Sequence, residues 1–490
     1  MEESNLQNKI VKATKWSAFT EILSKSVSPI TNMILARILV PEAFGVVATI
    51  TMIISFTIMF SDSGFQKYLV QHEFKDEDDK NKSATVAFWS NFIFANTLWL
   101  IIILFREQIA ELVGNPGLGI VIAIACIQLP ITSFSSIQEA LFKRDFDFKV
   151  FFLVRIISVC VPFLITIPLA LMGLSYWALI IGSLSIQVVN ALILTAKSIW
   201  KPKFFFSIEI FKRMISFSIW SLFESVSIWL TTWVDTFIIA FILNQYYLGI
   251  YKTSTTLVNS LMAIITASII PVLFSTLSRL QNNEEQFELL FFKFQRFVSY
   301  LVFPLGVGVF LFSDLVTAIL LGSQWKEASD IIGIWALGSS IMIVLSNFSN
   351  EVYRAKGKPK LSFLAHLLHS IILIPVCVIS SNYGFLALVY ARSFIRLQLI
   401  MVHFILMKSV IGFSVKRIIL NLLPASIIAT LMGGIGYTLL QIGQGLLWEF
   451  ASVIVCILFY IGLMFSVPVI RKDLVLVIKK FIRTSVVKEN

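Results

Sequence analysis

Apolar runs about twenty residues long follow one another from end to end of the chain, parted by short polar or charged segments. A hydrocarbon core about 30 Å thick takes roughly 20 helical residues to cross, so each run predicts one transmembrane helix. The first six lie near 16–38, 43–61, 84–105, 117–137, 150–171 and 174–195. The next six lie near 214–241, 248–274, 297–320, 329–352, 361–380 and 384–406, and two more near 419–440 and 446–467. The expected fold class is all-α, a polytopic membrane protein of about 14 transmembrane helices.

Composition excludes the soluble alternative. Of 490 residues, 57% are hydrophobic and 14% charged, and mean hydropathy is +0.87; soluble chains carry about 25% charged residues. A large aqueous domain does not fit, and with it go most enzyme classes, so an enzyme is not expected. Cys126, Cys160, Cys377 and Cys456 stand far apart inside apolar runs without a CxxC. They read as small hydrophobes rather than metal ligands or disulfide partners, and no cofactor is expected. The polar N-terminus leads straight into a full-length run without a small-residue cleavage site, so no cleavable leader is expected.

The net charge of +11 follows topology rather than nucleic acid, which is not an expected partner. With the N-terminus inside, every loop lysine and arginine except Arg106 and Lys326 falls on the inner side, where positive charge accumulates in membrane proteins. Both termini are therefore expected in the cytoplasm. The longest outer loop runs only from about Arg106 to Pro116. In the tail, 471–490, Leu474, Val475, Ile478, Phe481 and Ile482 oppose Lys472, Lys479, Lys480 and Arg483, a basic amphipathic segment expected on the inner membrane surface.

The chain repeats itself. At an offset of 204, Trp16, Ser17 and Phe19 fall on Trp220, Ser221 and Phe223, and Ala36, Ile38, Leu39 and Gly45 on Ala240, Ile242, Leu243 and Gly249. At an offset of 211, Lys149, Phe152, Leu153 and Gly173 meet Lys360, Phe363, Leu364 and Gly384. Run one thus matches run seven and run five matches run eleven. Copies six runs apart share orientation, a parallel repeat of the kind found in secondary transporters. The expected organisation is a six-helix bundle over 1–203, a second over 204–410, two additional helices over 411–470, and the tail.

Ionisable groups inside a bilayer cost at least ~2.5–3.5 kcal/mol each and usually face a cavity or a partner. The intramembrane set is Glu21, Lys25, Arg37, Arg155, Glu224, Asp235, Lys252, Arg392 and Arg396, six basic and three acidic. Arg392 and Arg396 are one helical turn apart on one face, beginning about 12 Å into the twelfth run. They answer either an anionic substrate or an acidic side chain elsewhere. Lys25 contacts substrate or pairs with Glu21, four residues before it. Arg37, Arg155 and Lys252 line a cavity or snorkel. Glu224 and Asp235 share one stripe of the seventh run, where carboxylates bind H⁺ or Na⁺, or counter the buried cations. Trp229 and Trp233 stack on a sugar or pack, and His366 and His369 read as ordinary hydrogen-bonded histidines.

Several stretches, in this order and spacing, carry a family resemblance. They are Ala36-Arg37-Ile38-Leu39-Val40-Pro41-Glu42-Ala43-Phe44-Gly45, Asp62-Ser63-Gly64-Phe65 with Leu69-Val70-Gln71, and Phe142-Lys143-Arg144-Asp145-Phe146-Asp147-Phe148-Lys149. Asp235 with Leu248-Gly249-Ile250-Tyr251, Leu321-Gly322-Ser323-Gln324-Trp325 and Ala355-Lys356-Gly357-Lys358-Pro359-Lys360 complete the set. The chain resembles the polysaccharide transporter branch of the MATE-like (MOP) superfamily, the bacterial O-antigen, capsule and exopolysaccharide repeat-unit flippases. That resemblance implies two six-helix bundles around a central cavity, two further helices, and a substrate of oligosaccharide linked through pyrophosphate to a polyprenyl lipid. It supplies no catalytic residues.

The residues agree with such a substrate. A pyrophosphate carries about two negative charges, and Lys25, Arg37, Arg155, Lys252, Arg392 and Arg396 could offset its desolvation. Glu21, Glu224 and Asp235 are the candidates for Na⁺ or H⁺ coupling. The expected function is a flippase of the bacterial cytoplasmic membrane working by alternating access, beside a polysaccharide polymerase and glycosyltransferases. A MATE-like multidrug or metabolite antiporter is the alternative; an exporter of cationic drugs calls for an acidic rather than a basic excess.

Overall fold

The computed structural model describes residues 27–471 except 63, 146 and 469, and except the side chains of 61, 62, 148, 216–221, 223, 224 and 268. Glu21, Lys25, the start of the first run and nearly all of the amphipathic tail lie outside the described residues, as does the side chain of Glu224. Among the described residues every regular element is a helix. Twelve are long and apolar enough to cross a membrane, or thirteen counting Gln245–Ala267 with Ile269–Arg279, bent by 45°. The described part of the first run, 27–38, is helical as well. The all-α polytopic expectation holds.

The chain packs as two compact units, one made of residues up to Thr253 with His369–Arg392, the other of Ser254–Leu368 with Ser393 onward. This division does not fall at the repeat boundary near residue 204.

In the first unit, α1 (27–38) is followed by α2 (Pro41–Asp62), the short α3 (Phe65–Gln71) and α4 (Glu77–Leu104). After the short α5 (Arg106–Leu112), the fourth span is assembled from α6 (Gly119–Ala125) and α7 (Gln128–Arg144), which run on together across the apolar region. Next come α8 (Phe148–Val161) and α9 (Ile167–Leu171), joined by a π turn at Pro162–Thr166. A proline has no N–H for the helical ladder and its ring displaces a carbonyl, so the turn widens there. Then follow α10 (Tyr176–Lys197), α11 (Ile208–Ile242) and the start of α12 (Gln245–Arg279). Val46, Ile50, Ile122, Leu129 and Ile180 form one buried cluster, and Phe65, Tyr68, Phe88, Ile137, Leu141 and Met214 another.

The second unit holds the rest of α12, α13 (Glu284–Leu311), α14 (Ser313–Leu320) and α15 (Ala328–Met342), which a π turn joins to α16 (Phe348–Ala355). After α17 (Lys360–Ser381) and α18 (Phe385–Phe394), which contribute to the first unit, come α19 (Arg396–Leu406), α20 (Val415–Ile442) and α21 (Leu446–Ser466). The two terminal helices are integral to this unit. Tyr300, Phe303, Val344, Leu422, Met432 and Tyr460 share one buried cluster, and the Tyr460 hydroxyl donates to the Tyr300 carbonyl at 2.9 Å.

Hydropathy misplaces helix ends wherever a cap sets them. The α4 helix starts at Glu77, seven residues before the predicted boundary, because Asp76 accepts the amide of Asp79 at 2.7 Å and three carboxylates follow in the first turn. Asn283 does the same for α13 through the amide of Gln286, so the ninth span begins at Glu284 rather than 297. Its far end breaks at Phe312, which leaves helical geometry and separates α14 from α13. Outside these ends, large apolar side chains such as Leu104, Leu164, Met172 and Leu447 are mostly exposed, the surface a hydrocarbon solvent covers.

Candidate functional site

The first unit buries a charged cluster among α11, α12 and α18. Asp235 and Arg392 are 3% and 8% exposed. Arg392, in the last turn of α18, donates from Nε to Asp235 Oδ2 at 2.8 Å and reaches the Thr231 carbonyl at 3.3 Å. The same carboxylate oxygen accepts the Tyr251 hydroxyl at 2.8 Å, and Oδ1 accepts the backbone N–H of Thr236 at 2.6 Å. Beside Tyr251, Lys252 holds its Nζ 4.2 Å from the centre of the Trp233 ring. Two cations and one carboxylate thus meet here, and both carboxylate oxygens are hydrogen-bonded, a condition under which a buried ion pair persists.

Three sequence features make the cluster. Asp235 and Thr231 are one turn apart on α11, Tyr251 and Lys252 sit two turns into α12, and Arg392 closes α18. Of the two readings open for Arg392, pairing with an acidic side chain is the one the structure displays. Asp235 is likewise engaged by a cation.

Arg396 belongs to the second unit. Its guanidinium carbon lies 3.4 Å from the centre of the Trp335 ring and Nη1 donates to Ser339 Oγ at 3.0 Å. Trp335 is fixed in turn by Nε1 donating to Asn259 Oδ1 at 3.2 Å. A Cβ on Gly338 would approach Arg396 Nη1 to 3.5 Å, so the arginine lies flat along α15. Such cation–ring contacts hold a charge in apolar surroundings without cancelling it.

Of the remaining candidates, the described ones join neither cluster. Arg37 on α1 and Arg155 on α8 are exposed. Trp229 packs edge-on against Phe56 at 4.9 Å and donates to Ser55 Oγ at 3.0 Å, a structural role. Sequence reasoning missed Tyr251, Trp335 and Ser339, and also the buried pair Tyr353 and His403, whose hydroxyl and Nδ1 are 3.1 Å apart. Tyr251 does stand in a resemblance stretch next to Lys252; nothing local marks the others.

The second unit also carries an apolar groove of about 700 Å³ along α13, α14, α20 and α21, lined by Tyr300, Pro304, Phe312, Met432, Tyr460 and Met464 among others. Among the described residues no group of three or more His, Cys, Asp or Glu has metal-site geometry.

Comparison with known proteins agrees with this architecture. Residues 34–330 match the model of a family described as polysaccharide biosynthesis protein. The succinoglycan biosynthesis transport protein ExoT of Rhizobium meliloti is 24% identical over 341 residues, covering 69% of this chain and 68% of its own. The lipopolysaccharide biosynthesis protein WzxC of Escherichia coli is 21% identical over 427 residues, covering 85% of each. Among solved structures, the lipid II flippase MurJ in an inward closed conformation superposes with a TM-score of 0.77 at 16% identity, over 94% of this chain and all of its own. The chain therefore has the MurJ fold, and with more than half its length matched it belongs to the polysaccharide biosynthesis protein family.

Proposed function

We propose that the protein is a flippase that moves polyprenyl-pyrophosphate-linked oligosaccharide repeat units from the inner to the outer leaflet of the bacterial cytoplasmic membrane by alternating access, for surface polysaccharide biosynthesis. The observation that carries this reading is the excess of cationic side chains held within spans: Lys252 and Arg392 around the single carboxylate of Asp235, and Arg396 laid on Trp335. A pyrophosphate leaving water needs charge-assisted hydrogen bonds. Arginine supplies them bidentately, and an arginine already desolvated gives up little hydration on binding.

In this reading Asp235 keeps Arg392 neutralised until the pyrophosphate competes for the guanidinium. The released carboxylate would then be open to H⁺ or Na⁺, which gives a route to ion coupling. The apolar groove beside α20 and α21 suits a polyprenyl tail, whose burial is worth about 25 cal/mol per Å² only against water, so in lipid the groove guides rather than binds. The cationic excess disfavours the alternative antiporter of cationic drugs. Polymerase and glycosyltransferases are the expected neighbours in the pathway, and the charge pattern of the loops supports cytoplasmic termini.

The test is to delete the gene in its host and measure lipid-linked oligosaccharide on each leaflet. Accumulation on the inner leaflet, reversed by the wild-type chain and not by Arg396→Ala at equal membrane abundance, is the expected result. Unchanged leaflet distribution after deletion overturns the proposal.

A further inference from the structure

At the charge-rich end of the first unit, away from the Asp235 cluster, a pocket of about 690 Å³ opens among three elements. The first turns of α4 give it Lys80, Lys82 and Thr85; the end of α7 and the turn after it give Gln138, Phe142, Asp145 and Asp147. The end of α10 and the segment following it give Lys197, Trp200, Lys201 and Lys203. The flippase reading uses none of these residues. The Phe142–Lys149 stretch, one of those carrying the family resemblance, supplies one wall.

Gln138 is the decisive residue. It is 0% exposed, and neither its carboxamide oxygen nor its nitrogen has a hydrogen-bond partner. A buried polar group left unmet costs about 1–3 kcal/mol, so this amide in the pocket lining is a group that an occupant reaching it would satisfy. It offers that occupant both a donor and an acceptor.

Charges of both signs line the pocket, Glu77 and Asp78 beside the α4 lysines included. Lys80 and Lys82 are already paired along α4, with Glu77 and Asp78 at 2.6 Å each. Lys201 donates to the Thr195 carbonyl. Among the described residues Lys197 and Lys203 have no carboxylate partner, and Asp145 and Asp147, after α7, have no cationic one. The segment bearing Lys203 is held in place: its carbonyl accepts Trp89 Nε1 at 2.8 Å, and the neighbouring Phe204 ring stacks on Trp89 at 5.4 Å. Trp200 also lines the pocket, its ring edge-on to Phe88 at 6.0 Å.

We infer that this pocket binds a phosphorylated sugar, its phosphate on Lys197 and Lys203 and its hydroxyls on Asp145, Asp147 and Gln138. Lysines answer the phosphate as point charges, carboxylates accept hydroxyl hydrogens in pairs, and an indole covers the apolar face of a pyranose. A simple anion would leave the carboxylates repelling it, and a neutral sugar would leave the lysines unanswered. The same chemistry comes from two sources, a soluble glycosyl phosphate and the glycosyl pyrophosphate head of a lipid-linked precursor.

The test is calorimetric titration of the full chain in lipid nanodiscs with glucose 1-phosphate, glucose and inorganic phosphate as probes. The expected result is saturable binding of glucose 1-phosphate, at least tenfold tighter than either part alone. Binding weakens about tenfold in Lys197→Ala/Lys203→Ala and also in Asp145→Asn/Asp147→Asn, pairs of exposed residues that leave the core intact. Gln138→Leu should bind more weakly while melting no earlier than wild type, since removing an unmet amide does not cost stability. Absence of saturable binding overturns the inference. So does binding that both double variants leave unchanged, and so does inorganic phosphate binding as tightly as the sugar phosphate. Nanodiscs carrying polyprenyl-pyrophosphate-linked sugar identify the source: competition with the probe assigns the site to the lipid head, and undiminished probe binding assigns it to the soluble ligand. None of these outcomes depends on whether the chain flips lipid, so the flippase reading and this one can fail separately.

Discussion

Gly45 and Gly249 meet backbone to backbone. A Cβ on Gly249 would lie 3.0 Å from the Gly45 amide nitrogen and would overlap the Pro41 carbonyl, while a Cβ on Gly45 would overlap the carbonyl of Gln245. These four residues are two repeat-related pairs at the 204-residue offset, so the contact is reciprocal: each copy's glycine receives the other copy's helix-start carbonyl. Only glycine permits so close an approach of α2 to α12.

If this contact closes the outer end during the transport cycle, any side chain at either glycine forces it open. We predict that Gly249→Ala raises labelling of a cysteine placed at Ala43, which is 1% exposed, by a membrane-impermeant maleimide in whole cells by about tenfold. The experiment uses a Cys160→Ser background, since Cys160 is the exposed native thiol. Gly45→Ala should do the same, because the contact is reciprocal. Equal labelling with and without the substitutions would show that this approach does not govern access.

The Asp235–Arg392 pair makes a prediction about stability as well as transport. Removing one member of a buried pair strands the other, at a cost of about 3–5 kcal/mol, whereas removing both is often close to neutral. Arg392→Met should therefore lower the melting temperature of the purified protein markedly, and Asp235→Asn/Arg392→Met should recover most of it. Surface polysaccharide should stay absent in the double variant, since stability returns without the guanidinium. Recovery of both together would make the pair purely structural.

Spans were legible in the sequence because bilayer thickness imposes their length, and a run of about twenty apolar residues has few other uses. Ends were less so: Asp76 and Asn283 start α4 and α13 by capping in water, beyond the reach of a hydropathy window. The glycine match at 45 and 249 was visible as a repeat but not as a contact. For the charged cluster, depth was legible and direction was not. Asp235 and Arg392 are 157 residues apart, and hydropathy says how far along a helix a charge sits, not which neighbour it faces. Tyr353 and His403, 50 residues apart, escaped for the same reason.

His72 gives a pH prediction outside the spans. Its ring stacks on Tyr68 at 4.4 Å, and its carbonyl accepts Arg144 Nη1 at 2.7 Å. Burial first, and then the Arg213 guanidinium, hold its pKa below the ordinary histidine value. The fold thus favours the neutral ring. Above the unfolded value of about 6.5 both states are neutral and nothing is lost. As pH falls below it, the unfolded chain takes up the proton first and stability declines. The melting temperature should drop between pH 7 and pH 5 by less in His72→Gln than in wild type; identical slopes would remove His72 from the acid response.

Arg396 separates charge from shape. Its plane lies on the Trp335 ring and its Nη1 reaches Ser339, a geometry that lysine cannot copy because an ammonium is a compact, strongly hydrated point charge. If the role is to present a guanidinium to a pyrophosphate, Arg396→Lys should fall well short of wild type, with surface polysaccharide reduced about tenfold, and Arg396→Ala should abolish it at unchanged membrane abundance. Trp335→Phe keeps a ring but loses the hydrogen bond to Asn259. Cation–ring contacts are worth about 0.5–2 kcal/mol, so its output should lie between the two. Polymer production by Arg396→Lys equal to wild type would mean that a positive charge at this depth is sufficient, and the planar contact with Trp335 would then belong to packing alone.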